Sequence, residues 1–252
     1  MAEFIKVEKN GHILTLTISR VEKRNALSDA MYATLAGALE TAEADPAVRV
    51  VMLCADGESF TAGNDLSDFA ARDKSPENVF RFLQALACAT KPLVAAVQGK
   101  AVGIGTTMLL HCDYVVLAED AELITPFVNL GLVPEAGSSL LLPSRIGYVR
   151  AYAMFALGEP VNAQQALAWG LANRVAPNAA LMKAALEVAR RLSFQPPDAL
   201  AATKKLMRQT GQITARIELE NKLFLERLTS PEAMEAFNAV FERRAPDFSR
   251  FS

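Results

Sequence analysis

The chain has 252 residues, 51% of them hydrophobic, which is enough to bury the core of a sizeable domain and excludes a disordered polypeptide. With 26 basic residues against 28 acidic ones the formal net charge is -2, so no strong field draws the chain to nucleic acid or to an anionic membrane. Cys54, Cys88 and Cys112 form an odd set without CxxC spacing and read as buried free thiols; with no secretory leader in MAEFIKVEKN, the expected location is cytoplasmic.

Residues 4–8 and 12–18 alternate with the two-residue period of half-buried strands, and Asn10-Gly11 between them predicts a hairpin. Ser28 is placed to cap a helix in which Met31, Leu35, Ala38 and Leu39 recur at helical spacing, and Asp45-Pro46 ends it. Residues 48–54 are nearly all apolar, as in a fully buried parallel strand. Alternation follows: a helix over 76–89, a strand over 93–97, a helix over 105–110 and a strand over 114–118, the pattern of an α/β fold with right-handed crossovers. The weakly charged stretch 93–112 contains Gln98, Gly99, Lys100, Gly103 and Gly105 and does not read as a membrane span. Beyond about residue 140 the strand signals fade, and helices are expected over 138–146, 149–157, 163–169, 179–192, 197–210, 213–227 and from Pro231 to about 244. Pro196-Pro197 is the clearest break in this helical layer.

Two histidines, His12 and His111, are too few for a multi-histidine metal site, and neither HExxH nor GxSxG occurs. A lone histidine is usually structural, and Lys204, Lys205 and Arg208 read as a solvated helix face. Gly99, Gly103 and Gly105 in QGKAVGIG miss the GxGxxG spacing of a dinucleotide loop, but a strand, a flexible turn and a helix start provide free N–H groups that can hold developing negative charge. Residues 59–66 form a second strand-to-helix turn of small residues. Together the two turns suit either an oxyanion hole or two ordinary tight turns. Glu135 is the one carboxylate in the otherwise uncharged run 123–144. Desolvation there raises a carboxyl pKa toward that of a general base, while a loop glutamate capping a helix from Ser138 fits the same pattern.

Several segments taken together resemble the enoyl-CoA hydratase/isomerase, or crotonase, superfamily across nearly the whole chain. They are Arg24-Asn25-Ala26-Leu27, SFTAGNDL, AAVQGKAVGIG, CDYVVLAEDAEL, NLGLVPEAGSS, ALGEPVNAQQALAWGLANRV and the terminal FERRAPDF. The resemblance implies an α/β spiral of ββα units over 1–195 and a helical C-terminal region over 196–252 that packs around neighbouring subunits, in a homotrimer or a dimer of trimers. It further implies an acyl-CoA thioester substrate, with the peptide N–H groups of Ala62 and Ile104 as the oxyanion hole. Substrate or coenzyme A contacts are implied at Lys23, Arg24, Ala26, Asn64, Asp65, Leu66, Gly105, Phe127 and Pro134, with Arg243 reaching toward a neighbouring subunit's site.

The two glutamates of a hydratase match Thr107 and Phe127, which can serve as neither acid nor base, whereas Glu135 looks like the single catalytic glutamate of the peroxisomal-type Δ3,Δ2-enoyl-CoA isomerases. The implied reaction is transfer of a proton from C2 to C4 by Glu135, with Phe127 and Leu130 excluding water. The alternatives are a hydratase adding water to trans-2-enoyl-CoA, other chemistry of the superfamily (thioester hydrolysis, decarboxylation, dehalogenation), and a catalytically silent acyl-CoA binding protein. No metal or redox cofactor is expected, coenzyme A entering as part of the substrate, and residues 75–88 are the expected seat of chain-length control.

Overall fold

Apolar runs separated by short polar corners wind, in the computed structural model, into two sheets; residues 4–65 and 76–251 are described. The strands are β1 (Ile5–Asn10), β2 (Ile13–Ile18), β3 (Val50–Ala55), β4 (Leu93–Val97), β5 (Lys100–Val102), β6 (Tyr114–Ala118), β7 (Glu122–Ile124), β8 (Val161–Asn162) and β9 (Arg174–Ala176). A six-stranded sheet runs β1-β2-β3-β4-β6-β9, antiparallel at the β1/β2 hairpin and parallel throughout the rest. A three-stranded sheet runs β5-β7-β8. The chain passes from β4 to β5 and from β6 to β7 round short corners, so each pass lays one strand in the large sheet and one in the small sheet. This is the spiral that the resemblance implies.

The helices are α1 (Asp29–Ala44), α2 (Glu77–Cys88), α3 (Ile104–Thr107), α4 (Ser138–Ile146), α5 (Tyr148–Tyr152), α6 (Ala163–Ala168), α7 (Leu181–Ser193), α8 (Pro197–Met207), α9 (Thr210–Leu228) and α10 (Pro231–Glu242). Successive side chains of a strand point to opposite faces, and β4 is buried on both. Leu93, Ala95 and Val97 join the cluster that includes Leu35 and Leu39 of α1 and Leu83 and Leu86 of α2, while Val94 and Ala96 pack with Ala184, Ala185 and Val188 of α7. The larger cluster also takes in Ile213, Ile217 and Phe224 of α9 and Phe237 of α10, so the C-terminal helices close onto the same core as the spiral.

Several local expectations are corrected. The helix expected over 105–110 is the single turn α3 followed by a 3-10 turn at Met108–His111, and the helix over 149–157 is α5 followed by a π turn at Ala153–Leu157. The short strands β5, β7, β8 and β9 were not anticipated, because two or three residues display at most one period of a strand pattern. His12 sits in the turn before β2, with Nδ1 3.0 Å from the Ala47 carbonyl. Cys54 and Cys112 are buried, but Cys88, at the last turn of α2, is exposed; all three are free. Among the described residues no helix is long and apolar enough to cross a membrane.

Candidate active site

The site grows from three turns that the spiral stacks together. Thr61 donates its N–H to Lys100 O (3.1 Å) and accepts from Val102 N–H (3.0 Å), which lays the 61–63 turn along β5. That approach requires glycine at 105, where a Cβ would fall 2.5 Å from Thr61 Cγ2. Gly105 therefore packs tightly between the turns. Ile104 is fully buried and is the first residue of α3, so its N–H has no partner within the helix.

The Ala62 N–H is committed elsewhere in this structure: it donates to Arg24 O at 2.9 Å. The segment around Arg24 is itself wound tightly, with Arg24 and Asn25 both in the left-handed region (φ 50° and 59°). Buried Asn25 fixes it, accepting from Arg20 N–H (2.7 Å) and donating to Asp56 O (2.7 Å) and Ser59 O (2.8 Å).

Glu135 lies on the third turn, only 3% exposed. Tyr32 of α1 donates to Asn64 Oδ1, which turns the Asn64 amide group toward Glu135, and the two side chains are hydrogen-bonded. Glu135 Oε1 has no hydrogen-bond partner. Burial, reinforced by the charge of Glu220 and opposed by the Asn64 bond, pushes the Glu135 carboxyl up to about 8.

The loop that carries Glu135 is held from both sides. His111, at the end of the 3-10 turn, places Nε2 2.7 Å from Ala136 O, and Arg208 donates to its Nδ1. Nε2 therefore carries the proton, and burial with Arg208 beside the ring pulls the imidazole down to about 3. On the opposite side Glu220 accepts from Gly137 N–H (2.5 Å) and Ser139 N–H (2.8 Å). Sequence reasoning missed Glu220, although a signal was present: it continues the buried stripe Ile213, Ile217, Phe224 of α9. Glu220, and not Glu135, occupies the amides where α4 begins.

The other implied contacts divide. Lys23 and Arg24 are exposed and Ala26 and Pro134 half-buried, and Phe127 is buried with its ring 6.1 Å from that of Phe155. Asp65 forms an ion pair with Arg20 (2.8 Å), which also donates to Ala26 O, so it braces the loop. Thr107 is fully buried with its hydroxyl unpartnered. Arg243 ends α10 in the left-handed region, exposed, and among the described residues it makes no hydrogen bond to the site. Leu66 lies outside the described residues, as does Ser75 of the 75–88 stretch.

Lys204 and Arg208 are not a solvated face. Lys204 pairs with Asp113 (2.7 Å) and Arg208 donates to His111 O (3.1 Å), and both border a cleft of about 780 Å³. Neither Glu135 nor Ile104 lines that cleft. No cluster of three or more potential metal ligands occurs among the described residues.

Residues 8–250 match a family model described as enoyl-CoA hydratase/isomerase. The chain is 33% identical to the 1,2-epoxyphenylacetyl-CoA isomerase of Escherichia coli (strain K12), with 99% of each chain covered. It is 34% identical to the 2,3-dehydroadipyl-CoA hydratase of the same strain, over 98% of this chain and 99% of that one. Among solved structures, an enoyl-CoA hydratase/isomerase from Pseudoalteromonas atlantica T6c superposes with a TM-score of 0.94 at 41% identity, covering 98% of this chain and 100% of that one. OdaA of Pseudomonas aeruginosa superposes with a TM-score of 0.92 at 44% identity, covering 96% of this chain and 100% of that one.

Proposed function

The chain belongs to the enoyl-CoA hydratase/isomerase family and is an acyl-CoA enzyme of the crotonase superfamily, and within it we propose a Δ3,Δ2-enoyl-CoA isomerase that moves the double bond with one glutamate. One observation carries this reading: Glu135 is a buried carboxyl with an unpartnered oxygen, whereas both oxygens of neighbouring Glu220 are taken by backbone amides. Thr107 and Phe127, at the positions that match a hydratase's two glutamates, supply no second carboxylate.

In the proposed reaction ionised Glu135 removes a proton from C2 of a 3-enoyl-CoA, forming a carboxyl O–H, and the electron pair moves onto the thioester oxygen as a dienolate. The protonated Glu135 then returns the proton at C4. The thioester carbonyl re-forms and the new double bond lies between C2 and C3, with no net gain or loss of atoms or electrons. The developing oxyanion meets the Ile104 N–H and, by displacing the Arg24 carbonyl, the Ala62 N–H. Exchange of one carbonyl acceptor for another at Ala62 is nearly neutral in the ground state and gains only as negative charge develops, so this donor acts on the transition state. A single oxyanion donor is worth about 3 to 4 kcal/mol in sites of this kind. Buried Phe127 and half-buried Leu130 suit proton transfer without hydration.

The test is a paired assay on trans-3-hexenoyl-CoA and crotonyl-CoA, following the conjugated enoyl thioester, with Glu135→Gln as control. The expected outcome is conjugation formed from the first substrate, a loss of at least about a hundredfold in Glu135→Gln, and no hydration of the second. Full activity in Glu135→Gln sinks the reading. Loss of conjugation from crotonyl-CoA points instead to a hydratase, the second reading, which draws support from the buried, unpartnered Thr107 hydroxyl as a group able to orient water.

A further inference from the structure

Glu220 is an unusual side chain for its place. It lies on the inward stripe of α9 between Ile217 and Phe224 and is 4% exposed. A buried carboxyl at such a position is destabilising unless its oxygens are satisfied, and here one accepts the N–H of Gly137 in the loop that follows Glu135 and the other the N–H of Ser139 in the first turn of α4. That loop needs holding: Ala136 and Gly137 are consecutive left-handed residues (φ 62° and 69°), and Ala136 has no glycine freedom to offset the strain.

We propose that Glu220 is a positioning residue of the proposed isomerase, its carboxylate clamping the loop that presents Glu135 and setting a buried negative charge beside it. The inference rests on Glu135 being the base. Few other charges bear on the pair. Burial raises the Glu220 carboxyl, against the hydrogen bonds from Ser139 and Gly137 and the charge of Arg216, which lies one turn earlier on α9 and bonds Ser139 Oγ (3.4 Å). Tyr32 of α1 and His111 of the 3-10 turn face the site in their neutral forms, the phenol because burial raises it and the imidazole because burial lowers it. Charges on other elements packed against α9 are engaged elsewhere: Arg81 of α2 with Glu40, Arg145 of α4 with Leu110 O, and Glu235 of α10 with Arg244 and Arg250.

A negative group beside a carboxyl makes that carboxyl hold its proton more tightly, so it becomes a stronger base when ionised, and removing the neighbour does the reverse. The amide of Glu220→Gln accepts one of the two loop N–H groups and turns an N–H toward the other. Glu220→Asp keeps the charge but is one methylene shorter and cannot span both. These variants separate charge from clamp.

The experiment is the pH profile of kcat/KM on trans-3-hexenoyl-CoA for the full-length protein, Glu220→Gln and Glu220→Asp, with Glu135→Gln measured alongside. In Glu220→Gln the acid limb is expected to move about one pH unit toward acid, with kcat down about tenfold. In Glu220→Asp the limb is expected to stay within a few tenths of a unit of the parent while kcat falls. A Glu220→Gln limb that does not move overturns the inference, as does a Glu220→Asp enzyme with parental kcat. If Glu220→Gln does not fold, the Glu220→Asp profile decides alone: a limb that moves as kcat falls overturns it. Full activity in Glu135→Gln instead removes the reading beneath it, which keeps the two failures apart.

Discussion

A carboxyl group taken out of water with one oxygen left unpartnered weakens the fold that contains it, and Glu135 shows how much. Its ordinary value is 4.5 and its value in the folded chain about 8. Between those pH values folding takes up a proton, so stability falls as pH rises, by about 1.4 kcal/mol per unit, and levels off above the folded value. Glu135→Gln carries no such titration. It is expected to match the parent near pH 4.5 and to exceed it by a few kcal/mol at pH 9, read from urea midpoints at the two pH values. Denaturation curves that keep the same separation at both would show that Glu135 ionises normally. Glu135 was legible in the sequence as a lone carboxylate in an uncharged run, but so was its competing role as a helix cap. The structure separates the roles: the amides at the start of α4 are taken by Glu220, from 83 residues away in the case of Gly137, a distance at which no local pattern speaks.

At the scale of elements, the site depends on turns more than on helices or strands. Gly131 (φ 68°) closes the 3-10 turn Val128–Leu130 ahead of Glu135, and a Cβ there would stand 2.6 Å from Ala233 N at the start of α10. Gly131→Ala therefore meets both a left-handed backbone and fixed main chain, and is expected to lower stability by about 2 kcal/mol or more and to reduce turnover, because the turn and α10 must separate. An unchanged denaturation midpoint would remove the argument. The hairpin and the buried strands β3, β4 and β6 were legible because Asn10-Gly11 and long apolar runs are strong local signals. The small sheet was not legible, since its three strands depend on the spiral's corners for their pairing. The ion pair of Asp65 was not legible for a similar reason: its partner Arg20 is far away in sequence and adjacent only once the loop closes.

At the scale of the whole molecule, one chain leaves large apolar side chains in water. Tyr148 (71% exposed), Val149 (81%) and Tyr152 (59%) form one such group on α5, and Phe194, Leu206 and Met207 are bare around the ends of α7 and α8. Surfaces of this kind are usually covered by other subunits. The expected assembly is a trimer or a dimer of trimers, measured by light scattering on the eluting protein; a stable monomer at micromolar concentration would contradict it. The change from mixed to helical pattern is legible near residue 140 and Pro196-Pro197 as a break in the helical layer, yet Ile213, Ile217, Phe224 and Phe237 are part of the spiral's own core, which local patterns do not reveal. The clamp from α9 onto the loop after Glu135 also bears on synthesis. A ribosome that has delivered Glu135 must still deliver residue 220 before the loop after Glu135 is held, so the nascent spiral has the proposed base long before that loop is fixed. If Glu135 is the base and Glu220 its clamp, a polypeptide released early would carry the base on an unclamped loop, and activity would report that translation had run nearly to its end.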